Sequence, residues 1–425
     1  MGFIILIFIL GYASIAFENT IRINKAAIAL ITGVLCWVVY IFLSNSKRHV
    51  TEQLTGHLGE LSQILFFLMG AMTIVELMDA HGVFDLITQR IKTNDKRKLV
   101  WIVAILTFIL SSVLNNLTTA IVMVSMVRKL MRDKKDRTMM AAIIIIAANA
   151  GGVWSPIGDV TTTMLWIGGQ VTPVNVVIKL ILPSLVSVVV PVLFLRSQIK
   201  GTIQRGEEKL KNKIALGTSS RQQKTILLTG VGIILLVPVF QALTGLPPFM
   251  GMMMGLSIIW IVTEIIHSSK EEQDRKHFTV AYVLGKIDTP SILFFLGILL
   301  AVTAIDSSGQ LVSAATWLDT HLKYQNAIVI AMGLLSSIMD NVPLVAASMG
   351  MYDMNRFPTD HYFWEFLAYA TGTGGSILVI GSAAGVAAMG IEKINFIWYL
   401  KKISWVALLG FLAGAVVYIL QEKLF

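Results

Sequence analysis

Among the 425 residues of this chain, two aspartates in strongly apolar stretches are the best candidates for chemistry. Asp340 belongs to a polar motif, Ser-Ser-Ile-Met-Asp-Asn-Val-Pro at 336–343, inside the apolar run 325–351. Asp159 belongs to the apolar run 139–168. An ionised carboxylate in hydrocarbon costs about 2.5–3.5 kcal/mol even on lenient scales, so such a residue is usually functional. Because burial favours the protonated carboxylate and a nearby cation favours the ionised one, a proton and a cation would compete for either aspartate.

Side chains that offer oxygen or amide groups accompany the two aspartates. An earlier motif, Ser-Ser-Val-Leu-Asn-Asn-Leu-Thr at 111–118, is similar to the motif at 336–343. Oxygen ligands suit alkali or alkaline-earth cations, and the candidate set contains no thiolate or imidazole for softer metals. The asparagines have the alternative role of hydrogen bonding between helices, and the hydroxyls that of bonding to their own helix backbone. The candidate cation- and proton-binding residues are Asp340, Asp159, Asn341, Asn116, Asn115, Asn149, Thr161, Thr162, Thr118, Thr373 and Ser376.

The composition predicts an all-α polytopic membrane protein. Of the residues, 55% are hydrophobic and 14% are charged, whereas a soluble protein carries about 25% charged residues. A single cysteine, Cys36, excludes a disulfide framework, and no His/Cys pairs have the spacing of zinc ligands. Ten apolar segments are predicted to cross the membrane, at 3–17, 26–43, 61–80, 139–168, 174–199, 225–243, 247–266, 289–306, 363–391 and 397–420.

The two apolar runs that contain the polar motifs, 99–127 and 325–351, are predicted to be re-entrant hairpins. The first consists of 12 apolar residues at 99–110 and eight at 120–127, each short of the roughly 20 that a crossing helix needs. Basic residues flank both of its ends, which places both ends on the cytoplasmic side. Extending this topology puts 28 of the 34 Lys and Arg on the cytoplasmic side and both termini outside. The net charge of +9 therefore reflects membrane topology, and nucleic acid is not an expected partner.

An internal repeat divides the chain into two halves. Ile-Leu-Phe-Phe-Leu at 64–68 returns at 292–296, and the two polar motifs are separated by 225 positions. Polar interruptions of two long segments, at 149–156 and 371–376, follow in the same order. Because each half has five crossings, an odd number, the second half is predicted to be inverted, with broken helices at the membrane midplane. The predicted units are a first inverted repeat at 1–199 (hairpin 99–127, broken helix 139–168), a cytoplasmic linker at 200–224, and a second inverted repeat at 225–425 (hairpin 325–351, broken helix 363–391).

These motifs resemble those of a known transporter family. Asn-Asn-Leu-Thr-Thr at 115–119, Gly-Asp-Val-Thr-Thr at 158–162 and Asp-Asn-Val-Pro at 340–343 are similar to segments of the NhaD-type sodium/proton antiporters, which belong to the ion transporter superfamily. The resemblance extends over nearly the whole chain. It implies a secondary active transporter, not an enzyme, that exchanges cytoplasmic Na⁺ or Li⁺ for external protons at alkaline pH. It also implies a homodimer in the lipid bilayer of a bacterial inner membrane.

The resemblance also implies roles for individual residues. Asp340 and Asp159 would bind the transported Na⁺ or Li⁺, and no cofactor is expected. The chain departs from the family at Asn115, where many members carry an aspartate, so the number of ions carried per cycle stays open. The residues that the resemblance implies in ion binding are Asp340, Asp159, Asn149, Thr161, Thr162 and Asn341.

Two other functions are compatible with parts of the sequence. A sodium-coupled carrier of an anion, either a dicarboxylate or an oxyanion, would need a basic residue or a free helix N-terminus at the substrate. Neither polar motif and neither interruption contains Lys or Arg, which disfavours this reading. An intramembrane aspartyl protease would also use two aspartates, but the sequence before Asp159, Pro-Ile-Gly, lacks the glycine that such proteases carry two residues before the aspartate. Antiport is the function that the sequence favours.

Overall fold

The computed structural model describes residues 2–16, 18–199, 201–203, 218–271 and 275–424. Over these residues the protein is helical, apart from loops and one isolated antiparallel bridge between Asp95 and Thr202. The helices before residue 200 are α1 (Gly2–Ala16), α2 (Glu18–Ile21), α3 (Lys25–Leu43), α4 (Lys47–Ala80), α5 (Val83–Arg90), α6 (Lys96–Leu114), α7 (Asn116–Leu130), α8 (Lys134–Val153), α9 (Val160–Ile167) and α10 (Pro173–Gln198). Those after residue 217 are α11 (Ser220–Thr244), α12 (Pro248–His267), a 3₁₀ helix (Lys276–Phe278), α13 (Val280–Leu284), α14 (Thr289–Ser307), α15 (Gln310–Leu322), α16 (Gln325–Leu335), α17 (Asn341–Met351), α18 (Tyr362–Gly374), α19 (Ala383–Glu392), α20 (Phe396–Lys402) and α21 (Ser404–Leu424).

Nine helices in the described part of the chain are long and apolar enough to cross a membrane: α3, α4, α6, α8, α10, α11, α12, α14 and α21. Many apolar side chains face outward, among them Phe42, Leu228 and Ile265, which are 76%, 73% and 67% exposed. Large apolar side chains that are this exposed and this numerous fit contact with lipid rather than with water. The protein is therefore an all-helical polytopic membrane protein.

The ten predicted segments and the nine candidate helices do not correspond one to one. The segment 3–17 forms α1, whose 15 residues are short for a crossing. The segment 61–80 is the second half of α4, which begins at Lys47 directly after a capping serine. The segment 397–420 is divided at Ile403 between α20 and α21. Apolar length alone therefore predicts where most helices lie but not where they begin and end.

The predicted linker 200–224 is shorter than the sequence analysis indicates. Helix α11 begins at Ser220, because Ser219 and Gln222 form a capping box in which each side chain bonds to the backbone of the other residue. Polarity at the start of this helix therefore marks a helix end exposed to solvent rather than a loop. Residues 200 and 204–217 of the predicted linker lie outside the described residues.

The run 99–127 forms two helices, α6 and α7, which are joined at Asn115. Helix α6 has 19 residues, so the count of 12 apolar residues underestimates it. Its polar ends stay helical because Asp95 caps the first turn and the hydroxyl of Ser112 donates to a backbone carbonyl one turn earlier. The length of α6 therefore does not support a re-entrant hairpin. The prediction of a hairpin at 99–127 depends only on the basic residues that flank both ends. The run 325–351 forms two helices of 11 residues each, α16 and α17.

The helix predicted over 139–168 is broken, but later than predicted. Helix α8 continues through the predicted interruption as far as Val153, and the first helix break lies at 154–159. Gly151 stays helical and allows close packing, because a Cβ atom there would lie 2.3 Å from the backbone oxygen of Phe108. Gly151 therefore serves the approach of α6 to α8, whereas a Cβ atom at Gly152 would lie 2.7 Å from the backbone oxygen of Gly158 in the break.

The helix predicted over 363–391 is also broken later than predicted. Helix α18 ends at Gly374, and the second helix break lies at 375–382. The hydroxyls of Thr371 and Thr373 donate to backbone carbonyls one turn earlier, at 2.7 and 2.5 Å. These bonds satisfy the hydroxyls within the helix, so the polar residues do not interrupt it.

Apolar clusters join the helices around the two aspartates. Helices α6, α7, α8, α10, α19, α20 and α21 share one buried cluster. Helices α1, α3, α4 and α14 share two others, one of which also contains Met164 of α9 and Val342 of α17. A further cluster contains residues of α4, α8, α9, α17 and α18, so it packs on both helices that the aspartates precede.

Helix α3 packs closely along α14, and glycines make this possible. A Cβ atom at Gly297 would lie 2.4 Å from backbone atoms of Ala29 and Leu30, and one at Gly33 would lie 2.5 Å from the Gly297 oxygen. Such distances are shorter than any real Cβ contact, so a side chain at either position would push the two helices apart.

We predict that Gly297→Val destabilises the protein by about 1–3 kcal/mol, because it overpacks the contact between α3 and α14. The measurement is the thermal unfolding midpoint of purified protein in detergent. Gly232→Val in α11 is the matched control, since a Cβ atom there meets no atom within 4 Å. Equal midpoints for the two variants would contradict the close contact.

Candidate functional site

Asp159 connects the first helix break to the start of α17. Its side chain is 2% exposed, and one carboxylate oxygen accepts the backbone N–H of Thr161 at 3.3 Å, which caps α9. The other oxygen accepts the side-chain N–H of Asn341 at 3.1 Å. Asn341 is the first residue of α17, so this hydrogen bond joins two helix N-termini. Residues that are 182 positions apart in sequence thus form one site.

Asp340 caps α17 beside this contact. Its Oδ1 accepts the backbone N–H of Val342 at 3.4 Å, and its Oδ2 lies 3.6 Å from the ammonium nitrogen of Lys25. The polar motifs and the predicted interruptions themselves contain no basic residue. The fold brings Lys25 to the site from α3, so the site does contain a basic residue. Charge compensation of Asp340 is therefore a property of the tertiary structure.

The electrostatics of the site favour a cation. Both aspartates lie at helix N-termini, where unpaired N–H groups and the helix dipole stabilise negative charge. Two ionised carboxylates and one ammonium group leave one negative charge without compensation. The surroundings are apolar, so this charge attracts a small cation or a proton more strongly than it would in water.

The hydroxyls of Thr119 in α7 and of Thr161 and Thr162 in α9 are among those without a hydrogen-bond partner in the described part of the chain. All three residues are fully buried. A buried hydroxyl without a partner costs free energy unless a ligand or water satisfies it. Thr162 is three residues from Asp159, and it belongs to the candidate set. These hydroxyls fit a donor set for a hard cation, which oxygen atoms coordinate.

A second network joins the first polar motif to the second helix break. The side-chain N–H of Asn116 donates to Asn149 at 3.3 Å, and the side-chain N–H of Asn149 donates to Ser382 at 2.9 Å. Ser382 caps α19 by accepting the backbone N–H of Gly385 at 3.1 Å. Unlike the direct hydrogen bond between Asn341 and Asp159, this connection passes through a third residue, Asn149, and contains no charged group. Ser382 lies 223 positions after Asp159, close to the 225 that separate the two polar motifs, and the candidate set does not contain it.

The remaining candidates form local contacts. Asn115 adopts a positive φ of 68° and accepts the backbone N–H of Thr118 at 2.9 Å, so it shapes the turn between α6 and α7. The hydroxyls of Thr373 and Ser376 donate to backbone carbonyls at 2.5 and 2.6 Å. Their described contacts therefore match the alternative role of bonding to the helix backbone, and none of these residues makes a described contact with the aspartates.

A family model described as citrate transporter matches residues 3–374 of the chain. The chain is also similar to individual transporters from plants and bacteria. Sodium/proton antiporter 1 of Arabidopsis thaliana is 46% identical over 421 residues, which cover 99% of this chain and 72% of the relative. Sodium/proton antiporter 2 of the same plant is 45% identical over 417 residues, which cover 97% of this chain and 98% of the relative.

The Na⁺/H⁺ antiporter NhaD of Vibrio cholerae is 31% identical over 453 aligned positions, which cover 98% of this chain and 91% of the relative. The alignments with these three relatives extend through both polar motifs and both helix breaks, whereas the family model ends at residue 374, before the second break. They confirm the family that the motifs indicate. The chain belongs to the citrate transporter family and, within it, to the sodium/proton antiporters of the NhaD type.

Proposed function

We propose that this protein exchanges Na⁺ or Li⁺ for protons across a membrane. The observation that carries the proposal is the meeting of Asp159 and the Asp340–Asn341 pair at two helix N-termini. The relatives that are named sodium/proton antiporters support the same function. The carboxylates hold either a cation or protons, and this competition couples the two fluxes.

The donors around the transported cation follow from the contacts of the site. Asp159 and Asp340 supply charge, while Asn341 positions Asp159 and offers its amide oxygen. The hydroxyls of Thr161 and Thr162 on α9 complete the set of oxygen donors. Asn116 and Asn149 hold the neutral network and keep the first polar motif against the second helix break.

The architecture that we propose for this exchange is an inverted repeat, with units at 1–199 and 225–425. In support, Asn341 bonds to Asp159 while Asn116, at the equivalent position of the first half, joins Ser382 through an asparagine. Both motifs would form re-entrant hairpins, with the broken helices at the midplane. The distribution of Lys and Arg supports a linker in the cytoplasm and both termini outside.

The assembly and the membrane are further parts of the proposal. A homodimer is what the resemblance implies. The relatives include plant and bacterial proteins, so the bacterial inner membrane stays a prediction of the sequence.

A sodium-coupled anion carrier is the second candidate. The description of the family model favours it, and Lys25 supplies a positive charge next to the site. Lys25 already pairs with Asp340, however, and pairing with a carboxylate of the protein competes with binding a substrate anion. Exchange of cations therefore remains the function that the site supports best.

We predict that Asp340→Asn abolishes the movement of protons that Na⁺ drives. The amide of the variant still caps α17 but carries no charge, so position 340 binds neither a cation nor a proton. Inverted membrane vesicles with a pH-sensitive dye provide the measurement, and Asp95→Asn, which alters the exposed cap of α6, is the matched control. A wild-type dye response to Na⁺ in Asp340→Asn would remove this residue from the mechanism.

We predict that Asp159→Asn raises the apparent KM for Na⁺ about tenfold or more, equivalent to about 1.4 kcal/mol of lost binding free energy. The variant retains the hydrogen-bond acceptor that caps α9 but loses a charge on the cation. The same vesicles, titrated with NaCl, give the KM. Asp133→Asn is the control, because Asp133 caps α8 on the exposed surface. If both variants have the wild-type KM, Asp159 has only a structural role.

We predict that neither a dicarboxylate nor arsenite changes the Na⁺-driven proton signal of wild-type vesicles. The charge of the site is negative, so an anion finds no binding position there. The test adds each anion as a salt of an organic cation at constant ionic strength. Anion uptake that depends on Na⁺ would favour the anion carrier instead.

A further inference from the structure

Lys25 lies at the site without belonging to either polar motif or either helix break. We propose that its ammonium group is a tethered competitor for the transported cation: it neutralises Asp340 in the empty site and releases it when Na⁺ binds. This inference rests on the proposed antiport and adds a residue that sets the affinity for Na⁺. The competition is between two cations for one carboxylate, and it needs no change in the protonation of Lys25.

The geometry of the ion pair fits a displaceable partner. The ammonium nitrogen lies 3.6 Å from Asp340 Oδ2, whereas the ammonium groups of Lys96 and Lys179 lie 2.5 Å from their carboxylate partners. A longer contact leaves room at the carboxylate for a second cation. The side chains of Lys25 and Asp340 are only 23% and 14% exposed, so solvent screens their attraction less than that of a surface pair.

Lys25 has a second binding partner that is ready to receive it. Its ammonium nitrogen also lies 4.4 Å from the ring centroid of Phe294, in the range of a cation–π interaction. When Na⁺ occupies the carboxylate, the ammonium group keeps the ring as a partner and does not become an isolated buried charge. This second contact reduces the cost of displacement, as a reversible competitor requires.

The position of Lys25 in α3 indicates that its positive charge neutralises Asp340 and does not stabilise α3. It is the first residue of α3, where the positive end of the helix dipole disfavours a cation. The helix start is capped by other groups: Asn24 accepts the N–H of Ala26, and Glu18 accepts the N–H of Lys25 itself at 3.1 Å. The ammonium group thus contributes nothing to capping α3, whereas it does neutralise Asp340.

The ion pair also connects α17 to the pair of helices α3 and α14. Lys25 and Phe294 belong to α3 and α14, which pack closely on each other, whereas Asp340 caps α17. Helix α17 also packs directly on α14 through apolar side chains. Release of Lys25 by Na⁺ therefore weakens one of the contacts that attach α17 to these helices.

The test measures Na⁺ binding to purified wild-type protein, Lys25→Gln and Lys25→Arg in detergent at alkaline pH. The readout is the NaCl concentration that gives half of the maximal rise in thermal unfolding midpoint, with choline chloride keeping the ionic strength constant. We expect this concentration to fall about threefold or more in Lys25→Gln, the scale of one partly exposed ion pair. In Lys25→Arg we expect it to rise, because a guanidinium group holds a carboxylate with two parallel hydrogen bonds.

Lys286→Gln is the matched control. The ammonium group of Lys286 also lies over an aromatic ring, at 5.4 Å from the ring centroid of Tyr282. We expect the half-maximal NaCl concentration of Lys286→Gln to equal that of the wild type. An unchanged or higher concentration in Lys25→Gln overturns the inference, since it would mean that Lys25 only orients Asp340. If Lys25→Gln does not fold, an unchanged or lower concentration in Lys25→Arg overturns it. If the wild type shows no response to Na⁺, the proposed antiport fails instead.

Discussion

The hydrogen bond from Asn341 to Asp159 is the contact on which the rest of the site depends. It holds together two helix N-termini, each capped by a carboxylate, in apolar surroundings. Helix N-termini stabilise such carboxylates one at a time. Two of them close together repel each other strongly where the dielectric constant is low, so the arrangement needs positive charge. Lys25, a transported cation and protons are the three sources of that charge.

A related connection that is built from neutral residues has a different consequence. In the second network Asn116 stands 225 positions before Asn341 and Ser382 stands 223 positions after Asp159, and the links consist of amide and hydroxyl groups. These groups satisfy one another without an ion. The chain thus has one charged site and one neutral connection, and the backbone before the two helices differs as well, since φ is 68° at Asn115 and −57° at Asp340.

The helices that the two aspartates cap pack in part on α1, α3, α4 and α14. Met164 of α9 and Val342 of α17 belong to an apolar cluster with these helices, whereas the neutral network joins helices of another cluster. The α3–α14 contact is tight, because Gly33 and Gly297 allow the backbones to touch. The helix pair that carries Lys25 thus contacts the start of α17, where Asp340 lies.

The sequence singles out Asp340, Asp159 and Asn341, because charged and amide groups in apolar runs are costly. The structure brings Asp159 and Asn341 together, and the role of these residues in ion binding stays a prediction. The breaks in the two long helices were predicted in the right order, but several residues too early. Polarity alone does not end a helix when threonine hydroxyls bond to its own carbonyls or when glycines allow another helix to approach, as at Thr373 and Gly151.

The amino-acid sequence by itself determined the membrane class, the family motifs and the acidic residues of the site, since these depend on residue type and on short spacings. Only the tertiary structure decided which groups meet. Lys25 reaches Asp340 across 315 positions of sequence, and Ser382 reaches Asn149 across 233. Such pairings follow from how helices pack, and no local pattern of residues specifies them.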